Sequence, residues 1–256
     1  DLLTAICDEP YWAVPAHVSR DGLDPREVID LFAAETGSAL AEVTALLADR
    51  LPPELVARTQ ALVRERIVDA YERHTYWWED FPNNWAAVCA GSVALAAVQV
   101  CEVERVRALL PRLRSSLRRS LDGYGDDGVC TEGYGYWRYG FGYYLVAVEA
   151  LDAAFGPDPA GEPARAAEAA RWPLRAFLSE SVLVTFADTW IEGTVDPGLL
   201  AGADRRYGSV GVPDPDLVDP EVVDECGRWA LATRALCWAA ESPAGEPAHD
   251  ERPRWY

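Results

Sequence analysis

The chain has 256 residues, enough to bury a sizeable core, and half of them are apolar and a quarter charged, which excludes a disordered chain. A net charge of −19, with arginine as the only basic residue type, disfavours nucleic acid and anionic membranes as partners. No stretch approaches the roughly eighteen uninterrupted apolar residues of a transmembrane helix; the richest, 85–100, is broken by Ser92 and Gln99.

In chain order, Asp24-Pro25-Arg26-Glu27 reads as a cap, a first-turn proline and an acidic third position, predicting a helix to about Glu35. A second helix is expected from about Ser38 to Arg50, with Leu40, Val43, Leu46 and Leu47 on one face. Pro52-Pro53-Glu54 opens a third, carrying Val56, Val63, Ile67 and Tyr71 at helical spacing. A fourth follows Pro82, from about Trp85 to Val100, and a fifth runs from Glu104 to Leu121. A sixth spans Trp137 to Phe155, and a seventh spans Pro163 to Ser181. A short helix is read over Leu199 to Arg206. A last long one opens at Pro220, with Val222, Cys226, Trp229 and Leu236 along its core stripe. Val182 to Phe186 is the one credible short strand and reads equally as a helix end.

Successive helices with short Pro/Gly turns predict an all-α fold of stacked antiparallel hairpins, either a superhelical solenoid or a closed (α/α) toroid, complete or as an incomplete barrel. No fixed repeat period is present, and uneven helices with long aromatic loops favour the toroid. The toroid is expected to occupy residues 1–242. Residues 156–162 and 243–253 read as surface linkers, the second leading over 243–256 toward a further domain. Methionine is absent, and Asp1 opens neither a charged leader nor an apolar signal segment, so the chain reads as a fragment or processed form. Six cysteines without a CxxC pair suggest neither a zinc site nor a disulfide scaffold, and they lean to a reducing, cytoplasmic compartment. Cys89 and Cys226 fall inside apolar helical patterns, where a thiol acts as a small buried hydrophobe. His74 and His249 sit in charged surroundings that read as exposed. Arg105, Arg107, Arg112, Arg114, Arg118 and Arg119 form a basic stretch, read as a solvated helix face.

Chemistry is most legible in the aromatic residues. They gather at Tyr11-Trp12, at Tyr76 to Trp85, and in the glycine-rich run Glu132 to Tyr144. If the last is helical near Tyr136, then Tyr136, Tyr139 and Tyr143 share a face. Large rings usually pack a core, but interleaved glycines also suit a loop wall where a ligand approaches the backbone. Rings with hydroxyls suit a sugar, which has an apolar face and a polar rim. In Asn83-Asn84, one amide suffices as an N-cap and the other is left for another task, such as holding a carboxylate. His17 is the remaining imidazole candidate. The glycine pattern Gly123-x-Gly125-x-x-Gly128 follows a helix and encloses Asp126-Asp127, which argues against a dinucleotide site.

Three motifs then stand in order: Cys7-Asp8-Glu9-x-x-Trp12-x-x-Pro15-Ala16-His17, Asn83-Asn84-Trp85-x-x-Val88-Cys89-Ala90-Gly91, and Asp127-Gly128-Val129-x-x-Glu132-Gly133-x-Gly135-Tyr136-Trp137-x-Tyr139-Gly140. Over residues 2–238 the chain resembles the helical domain of heparinase II/III-like polysaccharide lyases. The resemblance implies an (α/α) toroid followed by a β-sandwich, and β-elimination at a uronic acid in an acidic oligo- or polysaccharide. It assigns Tyr136 to take the C5 proton and protonate the leaving oxygen, and Asn84 with a histidine to neutralise the carboxylate. It implies no cofactor in this chain, a metal being conceivable only in the further domain. Where the family commonly has a histidine after the asparagine, this chain has Trp85, so His17 is the candidate to supply an imidazole. A phenol titrates near pKa ~10 and needs neighbouring positive charge to act as a base, and Arg138 is the candidate for that charge. Substrate contacts are expected from Glu9, Trp12, Asn83, Trp85, Glu132, Tyr134, Trp137, Arg138, Tyr139 and Tyr143. Two other readings remain: a glycoside hydrolase using carboxylates among Glu9, Asp127 and Glu132, and a glycan-binding protein without turnover. The oligomeric state is not legible.

Overall fold

A computed structural model describes residues 1–18, 22–179, 181–208, 210 and 226–241. It is mostly helical, and the described residues contain no strand, only isolated antiparallel bridges Tyr124↔Cys130, Phe177↔Leu183 and Val182↔Glu192. The helices are α1 (Leu2–Asp8), α2 (Pro15–Val18), α3 (Leu31–Leu46), α4 (Pro53–Val63), α5 (Ala70–Arg73), α6 (Asn84–Val100), α7 (Val103–Ser120), α8 (Tyr134–Tyr136), α9 (Gly142–Phe155), α10 (Ala164–Arg171), α11 (Pro197–Tyr207) and α12 (Trp229–Glu241). Among the described residues no helix is long and apolar enough to cross a membrane. The chain divides into two compact units, residues 1–120 with 147–159, and residues 121–146 with 160–256.

In the first unit, α6 is the central element. Nearly every side chain from Ala86 to Ala97 is fully buried, and most are Ala, Gly or Ser, so α3 and α7 approach it closely. The expected helix from Asp24 stops after one 3-10 turn, Pro25–Glu27. Val28 and Ile29 run extended and bury their side chains, and Asp30 then caps α3 by accepting from the Ala33 N–H at 2.8 Å. The two helices expected across residues 24–50 are therefore one, beginning at Leu31. Gly37, which invites a break, lies inside α3 because a Cβ there would stand 2.4 Å from Ile67. The expected apolar face of this helix holds at Leu40 but not at its end, where Leu46 is exposed. Residues 64–69 form a π-helical segment between α4 and α5 that still buries Ile67 and, one turn on, Tyr71.

The arginine run on α7 is not a free basic surface. Arg105 pairs with Asp69 and Glu72, Arg107 with Glu104, and Arg114 and Arg118 with Asp158. Arg119 donates to the Asp80 carbonyl at 2.9 Å. Arg112 is bonded on several sides. It donates twice to Glu79 at 2.6 Å and to the carbonyls of Tyr71 and His74, and its guanidinium covers the Tyr71 ring at 3.8 Å. Glu79 also accepts from the Tyr76 N–H at 2.6 Å, so one ion pair holds the turn from Tyr71 to Glu79 on α7. Burial pushes the Tyr71 and Tyr76 phenols up from their ordinary range. His74 is half-buried and 2.8 Å from Glu27, rather than exposed.

The second unit packs α11 against α12 and α10 against α11. The expected seventh helix ends at Arg171, two residues before Pro173, because a residue ahead of proline resists the helical conformation. After a 3-10 turn over Pro173–Arg175 the chain runs irregularly to Asp196, which caps α11. The expected sixth helix starts earlier, at Tyr134, and passes through a π-helical segment, Trp137–Phe141, into α9. Of the expected last helix, Pro220 and Val222 lie outside the described residues. Cys226 stands exposed in a turn ahead of α12, and Leu236 is exposed, so the predicted stripe holds neither of them. The 243–256 segment and His249 also lie outside the described residues.

Candidate functional site

In the second unit a hairpin over 121–133 leads into α8. Its bridge joins Tyr124 to Cys130, and Gly128 turns it at φ 83° with Glu168 O only 2.1 Å from where a Cβ would be. The glycine pattern expected not to bind a dinucleotide thus makes a tight turn. Burial pushes the Cys130 thiol up to about 12, so it is an inert thiol at neutral pH.

From this hairpin the aromatic run emerges with two faces. Tyr134, Trp137, Phe141 and Tyr144 stack in series, with centroids 5.8, 5.7 and 5.8 Å apart, and form the core face. The polar ends of this face are satisfied. Tyr134 OH donates to Thr194 O at 3.0 Å, Trp137 Nε1 to Ala169 O at 2.8 Å, and Tyr144 OH to Glu162 at 3.0 Å. Glu162 also accepts from Tyr207 OH and Arg206, and burial pushes the Tyr144 and Tyr207 phenols far up.

Tyr136, Arg138 and Tyr139 take the other face. With Gly135, Ala187, Asp188, Thr189, Trp190, Asp196, Cys226, Arg228 and Leu231 they line an open cleft of about 550 Å³. Arg228, just ahead of α12, lays its guanidinium over the Tyr139 ring at 4.1 Å. Tyr139 meets Tyr143 edge to face at 5.7 Å, but Tyr143 is buried, so the expected shared face of Tyr136, Tyr139 and Tyr143 reaches the cleft only with its first two members. The cleft carries two arginines against two aspartates, a local balance unlike the acidic whole. One of those aspartates, Asp196, is buried and committed to the Leu199 N–H at 2.9 Å. No described residue hydrogen-bonds the Tyr136 hydroxyl.

The remaining expected residues fall as follows. Glu132 is half-buried, and its carbonyl accepts from the Asp188 N–H at 3.3 Å. Asp127 accepts from the Val129 N–H at 3.2 Å and shapes the turn. Neither lines the cleft. Glu9, Trp12, His17, Asn83, Asn84 and Trp85 belong to the first unit. Trp12 is buried, donates to Ile6 O at 3.1 Å and lies under the Arg66 guanidinium at 4.7 Å, while Arg66 donates to Glu9 O at 3.0 Å. Their contacts are packing contacts within that unit.

Asn83 is the N-cap of α6, accepting from the Trp85 N–H at 3.0 Å, and Asn84 is the buried first residue of that helix. The expected cap is thus Asn83. His17 Nδ1 sits 2.7 Å from Asp30 Oδ2, and Asp30 also takes the Val14 N–H at 2.9 Å. The carboxylate fixes the ring, leaving Nε2 as the nitrogen for any other partner. The Trp85 ring meets the His17 ring edge-on at 5.2 Å and packs on Trp77 at 4.9 Å.

Sequence reasoning missed Asp188, Trp190, Arg228 and Asp30. Trp190, a large ring in a stretch without a helical period, stood out locally, but nothing in the sequence linked it to the Tyr136 run. Among the described residues no group of three or more His, Cys, Asp or Glu is placed to hold a metal ion. No protein-family model matches the sequence, and no curated protein matches it.

Proposed function

We propose that the protein is a polysaccharide lyase acting on a uronate-containing glycan, as its three motifs suggest, on an (α/α) toroid of the heparinase II/III-like kind. The observation that carries the reading is Tyr136. Its neighbours Tyr134 and Tyr144 have their hydroxyls bonded within the protein, whereas the Tyr136 hydroxyl has no partner among the described residues and lines a cleft with Arg138 and Arg228. A phenol open to such a cleft suits proton transfer with a bound substrate.

In this reading the Tyr136 phenolate takes the C5 proton of the uronate. The electron pair becomes the C4=C5 double bond, the C4–O bond breaks, and the tyrosine returns its proton to the departing oxygen. Removing that proton builds charge on the carboxylate, so neutralising the carboxylate lowers the barrier. The hydrolase alternative draws less support, because Asp127 and Glu132 do not line the cleft.

The test is to incubate the protein with heparan sulfate, hyaluronan, alginate and pectin-type chains while following ultraviolet absorbance and reducing ends. A new absorbance with new ends is the expected result. New ends without absorbance would mean hydrolysis, and binding with neither would mean a lectin-like role.

A further inference from the structure

The segment Ala187 to Trp190 is built more firmly than an ordinary surface loop. Ala187 has φ 45°, the only non-glycine residue of positive φ among those described, a conformation that costs energy and collects at functional sites. Around it, Asp188 N–H donates to Glu132 O at 3.3 Å, Thr189 N–H to Phe186 O at 3.1 Å, and Tyr134 N–H to Thr189 Oγ1 at 3.0 Å. Gly133 lies beneath at φ 98°, where a Cβ would stand 2.1 Å from Thr189 Oγ1. The turn that launches α8, and so places Tyr136, is the same turn that anchors this segment.

The anchored segment presents Trp190, 82% exposed. Its ring meets no other ring and no cation among the described residues. A single exposed apolar side chain is ordinary, but an exposed indole next to an anchored backbone turn, on the wall of the cleft that holds Tyr136, is not accounted for by packing. We propose that Trp190 is the platform of a sugar-binding subsite, its indole stacking on the apolar face of a pyranose while Asp188 and Thr189 meet the ring hydroxyls and the cleft arginines face the acid group. An indole face and C–H-rich sugar face exclude water from each other, and the carboxylate of Asp188 accepts from hydroxyls. The inference rests on reading the cleft as a glycan site, and not on the elimination step.

The test is calorimetric titration of the 256-residue chain with tetrasaccharides of heparosan, hyaluronan, alginate and polygalacturonate, each beside its carboxyl-reduced form. The parent is expected to bind at least one. Trp190→Ala should raise that Kd roughly tenfold, equivalent to about 1.4 kcal/mol, and Trp190→Phe by less, with an unchanged melting temperature. The same ratio should appear on the carboxyl-reduced form, because stacking needs no charge. Parent-like binding by Trp190→Ala overturns the proposal, as does no binding of any probe by the parent. An unchanged Kd with altered self-association would also overturn it, marking Trp190 as a protein contact. Full turnover by Tyr136→Phe would sink the elimination chemistry while leaving a tenfold Trp190 effect standing, so the two failures are distinguishable.

Discussion

Two aromatic-rich regions of similar composition meet different fates. In the first unit, Tyr71, Tyr76 and Trp78 stack within a core sealed by the Arg112–Glu79 pair; Tyr76 OH is spent on Glu27 O at 2.6 Å and Trp78 Nε1 on Ile29 O at 2.8 Å, while the Tyr71 hydroxyl is buried without a hydrogen-bond partner. In the second unit the run from Tyr134 to Tyr144 divides lengthwise. One face stacks into the core, and the other gives Tyr136 and Tyr139 to a cleft. Glycine makes the difference. The run 133–142 holds four glycines, and Gly133 permits the fixed turn from which the two faces diverge. Ring content alone therefore does not mark a binding surface; rings whose unused polar ends open on a cleft do.

The sharpest way to break this contrast is in the enclosed region. Arg112→Met leaves the nearly buried Glu79 carboxylate without its cation, and stability should fall by about 3 kcal/mol, the low end for a broken buried pair because Arg112 retains some exposure. Denaturant titration measures it, and adding Glu79→Gln should recover part of the loss. An unchanged midpoint would mean that the pair does not hold the turn. In the cleft region, Gly133→Ala introduces a strained positive φ and a clash with Thr189 Oγ1, with an expected loss of about 2 kcal/mol. It should also weaken whatever the Trp190 segment binds, whereas Arg112→Met should not.

The smallest effect concerns Glu27, whose hydrogen bond from His74 and neighbouring Arg73 hold its carboxyl below the usual range. A depressed folded value means that the stabilisation is fully present above the ordinary glutamate pKa of ~4.3 and is lost as pH falls through the folded value. Glu27→Gln should therefore lose only a few tenths of a kcal/mol at neutral pH, since the group is partly solvated. The gap to the parent should close in acid; a gap that persists there would show that the hydrogen bonds and not the charge matter.

Much of the helical framework was legible because caps and periodicity are local. Pro53, and Pro82 with Asn83, each stand at or beside a real helix start. The errors arose where tertiary contact overrode a local signal. The break expected between Glu35 and Ser38 falls at Gly37, which is a packing site for Ile67 inside α3, and the described residues of 176–196 include apolar side chains yet form no regular element. Among the cleft residues, Tyr136 and Tyr139 were readable as sharing a face from their spacing, and Arg138 only as a sequence neighbour of Tyr136. Trp190 and Arg228 were not, because they reach the cleft from distant segments that no local pattern connects, and Asp30 gave no sign that it would hold His17.

The most direct test of the central claim is Tyr136→Phe, measured for both turnover and melting temperature on whichever uronate glycan the parent cleaves. Turnover should fall about 10²- to 10⁴-fold, the usual contribution of a general acid–base group, with melting unchanged because no described residue hydrogen-bonds that hydroxyl. A phenylalanine variant that turns over at the parental rate would contradict that claim.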